Sequence, residues 1–346
     1  MNESQPSINL QTSVGGIHMD TCIYNAAGAR CTIDNELFNL NTSNTGAILT
    51  KSTTIYSRMG NAKPKYYDNI NGSINANGLE NLGMSFYREF SKNPLNKPYI
   101  ISVAGLGKDD IPIILEYLDE VKNLKKSWSP IKNISITSPQ KQKQHQNQNQ
   151  NPYNISGVEV NLSCPNVSGM PQLGYSYDDI EETIMRIVKT YNGVIGLKLP
   201  PYFDDMQFFR IASIISRFEQ IKYITCCNSL GNGLIIDTNS ESVVIHPRKG
   251  FGGVGGLYIK PTALANVVKF RELLPENIDI VGCGGVSTGL DVFEHILCGA
   301  SAVQIGTQLM KEGVDCFERI TKELIDIMRN KSYTKIDDFK GKLKTI

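Results

Sequence analysis

The run Asn161-Leu-Ser-Cys164-Pro-Asn166 sets a thiol between two carboxamides at the end of a β-rich stretch. Gly157-Val-Glu-Val has strand character, and Pro165 removes the backbone donor a ladder needs, so Cys164 falls at a strand-to-loop junction. A thiolate there is a candidate proton acceptor, with amides on both sides that donate and accept hydrogen bonds. By burial statistics alone a lone cysteine in an apolar strand is more often inert packing. What singles this one out is the company at the other strand ends.

Those ends read Asn25-Ala-Ala-Gly28, Lys51-Ser52, Lys198-Leu-Pro-Pro201, Asn228-Ser229, Gly282-Cys-Gly-Gly285 and Gly306-Thr307, almost all small, amide or cationic. Glycines let backbone donors approach a planar or phosphorylated ligand, and glycine clusters on two consecutive final strands match the usual phosphate site of barrel enzymes. Gly284, Gly285, Gly306 and Thr307 are the phosphate candidates; tight turns without a ligand are the plainer reading of either cluster alone. Lys51 and Lys198 end apolar strands, so each ammonium is directed at the barrel mouth, where burial disfavours it unless an anion is present. A snorkelling surface lysine is the alternative for either one. Together they suggest one cation for a substrate carboxylate and one for negative charge on a reduced cofactor. Gly250-Phe-Gly-Gly-Val-Gly255 satisfies the G-x-G-x-x-G dinucleotide pattern, but it opens no clear helix and no strand ending in an acid follows. It reads as a mobile loop whose backbone approaches a cofactor.

Eight β-rich runs carry these ends: 22–28, 46–52, 99–105, 157–165, 194–200, 223–229, 278–285 and 302–307. Between them, 109–126, 177–191, 204–219, 261–274, 288–298 and 312–329 have helical length and apolar spacing near 3.6 residues. This alternation predicts an α/β fold, a (β/α)8 TIM barrel with parallel pairing. Residues 1–346 read as a single barrel domain. Two stretches break the rhythm: 56–93, too long for a simple connection and so an active-site loop system, and 231–260, with a small hairpin near Ser242 to Ile245. From Gln140 to Gln150 glutamine fills every second position, which marks Thr137 to Asn151 as a Gln/Asn-rich disordered surface insert.

With 40% apolar and 20% charged residues and a net charge of +1, the chain has no general electrostatic reason to bind nucleic acid. It lacks a leader-like N-terminus and any apolar run of about eighteen residues, so a cytosolic protein that does not engage a membrane is expected. The eight cysteines show no C-x-x-C pair and the four histidines are scattered, so no metal site is expected, and every cysteine but Cys164 reads as reduced packing.

Taken together, N-L-S-C-P-N, S-I-N-A-N-G-L-E-N-L-G, K-L-P-P-Y-F, C-N-S-L-G-N-G, G-F-G-G-V-G-G, P-T-A-L-A-N-V and G-C-G-G-V, in this order, closely resemble class 1A dihydroorotate dehydrogenase, the soluble fumarate-dependent type. The likeness runs from Met19 to Ile346 apart from the glutamine insert. It implies an FMN-containing homodimer that oxidises dihydroorotate to orotate in pyrimidine synthesis and passes the electrons to fumarate, giving succinate. It also implies that Cys164 is the base and that Lys51, Asn75, Gly78, Leu79, Asn161, Asn166, Asn228 and Ser229 hold substrate. Around FMN it places Ala26, Ala27, Gly28, Lys51, Ser52, Asn75, Asn161, Lys198, Gly255, Gly256, Cys283, Gly284, Gly285, Gly306 and Thr307. Asn77 stands where related enzymes often have methionine, and Ala27 where they often have serine.

The nearest rival, class 1B, passes electrons to NAD through an iron-sulfur subunit, which is not expected here. Class 2 enzymes use serine as base and carry an apolar N-terminal anchor, against which Cys164 and the polar N-terminus argue. A phosphate-binding barrel without redox chemistry, an isomerase or a silent binding protein, would purify colourless.

Overall fold

The computed structural model describes residues 7–119, 152–163 and 172–346. The strands are β1 (Thr12–Val14), β2 (Ile17–Met19), β3 (Ile23–Asn25), β4 (Ile48–Leu49), β5 (Tyr66–Asn69), β6 (Gly72–Asn75), β7 (Tyr99–Val103), β8 (Gly157–Asn161), β9 (Ile195–Lys198), β10 (Ile221–Cys226), β11 (Leu230–Gly233), β12 (Ile236–Asp237), β13 (Ser242–Val243), β14 (Gly252–Gly255), β15 (Asp279–Cys283) and β16 (Ala302–Ile305). The helices are α1 (Asp34–Thr42), α2 (Met84–Phe90), α3 (Asp110–Leu118), α4 (Tyr177–Thr190), α5 (Asp205–Ile215), α6 (Lys260–Leu273), α7 (Gly289–Leu297), α8 (Thr307–Glu312) and α9 (Asp315–Asn330).

Eight strands form one sheet in the order β3-β16-β15-β10-β9-β8-β7-β4, every ladder within it parallel. The two end strands meet without a ladder of their own. Gly46 N–H donates to the Ile23 carbonyl at 2.8 Å, and the side chain of Asn25 bonds both backbone groups of Leu49, closing the cylinder into a (β/α)8 barrel. The eight runs expected from sequence are these eight strands; the sixth begins earlier than expected, at Ile221.

Alternation along each strand sorts the side chains. Val158, Val160, Ile195, Leu197, Val303 and Ile305 point outward into the layer shared with the helices, while Glu159, Lys198 and Gln304 take the intervening, inward positions. The helices meet that layer with stripes such as Ile180, Ile184 and Ile187 on α4, spaced one and two turns apart; burying each such side chain contributes about 1.5–3 kcal/mol. Ser176 caps α4 by accepting from Asp179 N–H, and Asp178 and Asp179 sit in its first turn, where the helix dipole favours negative charge.

The β1–β2 hairpin lies across the lower end of the barrel. Its Val14, Ile17 and Met19 pack with Tyr24, Leu49, Ile100, Tyr223, Val281 and Ala302, and its Gly15 N–H donates to Asp279. At the other end β11, β14, β6 and β5 form an antiparallel sheet. Of the 250–255 segment, expected as a mobile loop, residues Gly252–Gly255 are a strand within that sheet: β14 pairs with β6 and β11, which fixes it. The small hairpin is present as β12–β13. The helix expected over 109–126 runs from Asp110 to Leu118, with Asp119 already extended, and residues 120–126 and the Thr137–Asn151 insert lie outside the described residues. Among the described residues no helix is long and apolar enough to cross a membrane.

Candidate active site

One cavity of about 770 Å³ opens between the strand ends and the antiparallel sheet, a size typical of cofactor clefts. Every barrel strand except β7 supplies a lining residue from its C-terminal end or the loop after it. Ala26, Ala27 and Gly28 follow β3, Lys51 and Ser52 follow β4, and Asn161, Lys198 and Cys283 end their strands. Asn228 and Ser229 follow β10; Gly284, Gly285, Gly306 and Thr307 follow the last two strands. The antiparallel sheet adds Asn75 and Gly255, with Gly256 just beyond it, and the turn after β6 adds Gly78 and Leu79. All described residues expected at the site therefore border the same space. Cys164 and Asn166 lie outside the described residues; the chain reaches that segment from Ser163, itself in the cavity wall.

The amides are held by one another. Asn161 donates through Nδ2 to Ser52 Oγ (3.2 Å), which shares a 2.9 Å hydrogen bond with Ser102, and its Oδ1 accepts from Asn228 Nδ2 (3.1 Å). Asn228 Nδ2 also donates to the Ser163 carbonyl, while its Oδ1 accepts from Ser229 N–H at 2.8 Å. This chain fixes which face of each amide donates and which accepts. Asn75 donates to the carbonyl of its cross-strand partner Gly253 at 3.1 Å, which fixes its amide within the antiparallel sheet, and Asn77 reaches back to Asn75 Oδ1 at 3.5 Å.

Arg30, Lys51, Lys63, Lys65 and Lys198 all border the space, and of these Lys51 and Lys198 stand at barrel strand ends. Lys51 is buried and its Nζ lies 3.4 Å from the Gly28 carbonyl. Lys198 is buried too, its Nζ donating to Gln304 Oε1 at 2.9 Å and lying 3.6 Å from Cys283 Sγ. Burial opposes the charge on Lys198, yet the pull of Cys283 and Glu159 outweighs it, and its pKa lies above the ordinary lysine value. The Cys283 thiol is itself raised by burial, and Glu159 lies on the far side of the Gln304 amide, accepting from its Nε2 at 2.7 Å.

Gly284 (φ 131°) and Gly285 (φ 77°) turn with backbone angles that side chains rarely adopt, and an added methyl would strike Ala263 at the first and Lys260 at the second. Behind this loop Lys260 pairs with Asp291 and Glu294, both at 2.5 Å, and Asp291 also accepts from the amides and hydroxyls of Ser287 and Thr288. Ser73 Oγ and Thr307 Oγ1 share a 2.7 Å hydrogen bond at the opposite wall.

Sequence reasoning missed Gln304, Ser163, Ser73 and Cys227 in the lining, and Glu159 and Ser102 just behind it. The usable signal was a polar residue inside an otherwise apolar strand, Glu159 in Val-Glu-Val and Gln304 in Val-Gln-Ile.

A closed barrel with amides, cations and a glycine-walled recess converging at its strand ends is the frame of a cofactor-dependent barrel enzyme. Comparison with known proteins narrows this. The family model for dihydroorotate dehydrogenase matches residues 9–328. A Streptococcus uberis protein named for dihydroorotate dehydrogenase A (fumarate) is 42% identical over 97% of this chain and 98% of its own. A Streptococcus pneumoniae protein named for the same activity is 40% identical over 98% and 99%. The crystal structure of the Eimeria tenella enzyme in complex with ferulenol superposes with a TM-score of 0.75 at 16% identity, covering 98% of this chain and 90% of that one, a likeness of fold. The chain belongs to the dihydroorotate dehydrogenase family, in its class 1A fumarate-type branch, and is an oxidoreductase.

Proposed function

We propose that the chain oxidises dihydroorotate to orotate in pyrimidine synthesis, with FMN bound in the cavity and fumarate reduced to succinate in the second half-reaction. The observation that carries the reading is the division of one cavity into two chemistries. Lys51, Asn75, Asn161, Asn228 and Ser229 offer a cation and paired donors and acceptors, suiting a small ring that carries a carboxylate, C=O and N–H groups. The Gly284–Gly285 turn, Gly306 and Thr307 offer backbone and hydroxyl donors to a phosphate, in a turn whose position a side chain at 284 or 285 would disturb by striking Ala263 or Lys260. The residues fit FMN, with Ala26, Ala27, Gly28, Ser52, Gly255, Gly256 and Cys283 as the walls of its ring site and Lys198 beside it.

When bound, FMN supplies the acceptor for the hydride leaving the carboxylate-bearing carbon of the substrate. Cys164 takes the proton from the neighbouring ring carbon, beside the carbonyl. The seven described thiols are all pushed above the ordinary cysteine value by burial, so none of them is poised as a base near neutrality. The amide chain, with Asn166, orients the ring, and orientation supplies much of the rate. Lys51 holds the carboxylate, Gly78 and Leu79 add backbone contacts, and Lys198 offsets negative charge on the reduced cofactor. We further propose a cytoplasmic location, no iron-sulfur subunit and a homodimer, the last in keeping with the exposed apolar Phe203, Met206 and Phe209 beside and within the first turns of α5.

The test is anaerobic. Dihydroorotate should bleach the flavin absorbance of the purified protein, and fumarate should restore it with no second protein present. A colourless protein, or a flavin indifferent to dihydroorotate, overturns the reading.

A further inference from the structure

The barrel interior holds a carboxylate that touches no cavity. Glu159 is completely buried on β8; its Oε2 accepts from Thr225 Oγ1 and from Gln304 Nε2, both at 2.7 Å, and its Oε1 has no partner among the described residues. Gln304, equally buried, also donates to Tyr24 Oη at 3.1 Å, which leaves its Oε1 turned toward Lys198. The amide therefore reads the carboxylate on one side and the ammonium on the other. A buried carboxylate with one oxygen unpaired carries a desolvation penalty that two hydrogen bonds to the other offset only in part, so its persistence inside a barrel asks for a role.

We infer that Glu159 is a positioning residue for the redox chemistry: through the Gln304 amide it fixes the aim of Lys198 and supplies the counter-charge that keeps that ammonium protonated beside the cofactor. This rests on the FMN reading above. The groups that face Lys198 from the neighbouring elements are Glu159 on β8, Cys283 on β15, Cys227 after β10 and Gln304 on β16, with Tyr24 behind Gln304 on β3. The two thiols and the phenol have pKa values raised by burial and are neutral near pH 7. Among the described residues of the barrel interior, Glu159 is thus the one carboxylate able to balance Lys198. Without it, burial acts on the ammonium against one counterweight fewer and moves its deprotonation down toward the working range.

The experiment uses the flavin-loaded protein and sulfite, a nucleophile that adds to oxidised flavin and whose affinity follows the positive charge held beside the ring. Wild type is expected to show no step in sulfite affinity assignable to Lys198 between pH 6 and 9. Glu159→Gln is expected to match wild type or bind more tightly at the acid end and to lose at least about tenfold at the alkaline end, as Lys198 gives up its proton. Gln304→Met, which cuts the bridge, is expected to show the same alkaline loss. Thr225→Val, which removes the other donor to Glu159 and leaves the bridge, is expected to follow wild type. If Glu159→Gln does not fold, the Gln304 and Thr225 variants decide between them. Parallel pH profiles for the bridge variants and wild type overturn the inference, as does a folded bridge variant that no longer retains FMN, because the phosphate grip does not involve Glu159 or Gln304. A wild-type protein without flavin instead sinks the functional reading beneath it.

Discussion

The carboxamide of Asn25 stands in for a stretch of backbone: its Nδ2 donates to the Leu49 carbonyl at 2.6 Å and its Oδ1 accepts from the Leu49 amide at 2.9 Å. This is how a strand would treat its neighbour, and it occurs where the first and last strands of the sheet meet without a ladder. Asn25→Ala leaves two buried backbone groups unpaired and is expected to destabilise the fold by about 3 kcal/mol. Urea denaturation should show a lower midpoint at an unchanged slope. A midpoint within experimental error of wild type would mean that the seam closes by other means.

Gly285→Ala puts a methyl into the Lys260 side chain at a left-handed backbone position, so the turn must move. Flavin retention is expected to fall by at least about tenfold, with a stability loss of roughly 1–3 kcal/mol from backbone strain. Absorbance of the purified variant before and after dialysis against FMN measures the first, and a melting curve the second. Full flavin occupancy would remove this turn from the phosphate site.

How much of this was legible beforehand depended on how local each signal is. Strands buried on both faces read as apolar runs, so β3, β4, β7, β8, β9, β10, β15 and β16 were all found, each expected run overshooting the C-terminal end of its strand by two to four residues, and the amphipathic α4 was found almost to the residue. The antiparallel sheet was not legible as one. Asn75 on β6 pairs with Gly253 on β14, far away in sequence, and glycine-rich β14 carries no apolar alternation, so only its turn character showed. The β1–β2 hairpin and polar α1 were missed for want of a strong period. The lining residues Lys51, Asn161, Lys198 and Asn228 were found because barrel geometry sends strand ends to one place. Glu159 was not, because it lies inside a strand and acts below the mouth.

Cys164→Ser is expected to slow anaerobic flavin reduction by dihydroorotate by roughly 10²–10⁴-fold while leaving flavin content unchanged. In wild type the same rate should rise with pH up to the thiol's pKa and then level off, since only the thiolate accepts a proton and a free cysteine titrates at about 8.5. Stopped-flow reduction across pH 6 to 10 measures both. Wild-type rates in the serine variant would take Cys164 out of the base role.

His295 gives the fold a defined response to acid. It is buried with Nε2 3.0 Å from the Gly284 carbonyl, and burial pushes its pKa down to about 4 from 6.5, against the upward pull of that carbonyl and of Asp291. The unfolded chain therefore binds a proton that the folded chain refuses. The stability this contributes is complete above about pH 6.5 and is lost as pH falls toward 4, by no more than about 3 kcal/mol. Asp291, held below the ordinary carboxylate value by Lys260 and the Ser287–Thr288 donors despite its burial, adds a loss in the same direction at still lower pH. Denaturant midpoints at pH 7 and pH 5 should diverge in wild type and draw together in His295→Gln; equal slopes in the two proteins would contradict this origin.

The hairpin wedged under the barrel has a consequence for traffic. With Val14, Ile17 and Met19 stoppering the base, the vestibule beside Lys198 is closed at that end among the described residues. An electron donor and an electron acceptor that shared the upper rim would have to queue, and the protein itself would then carry the charge across the interval between visitors.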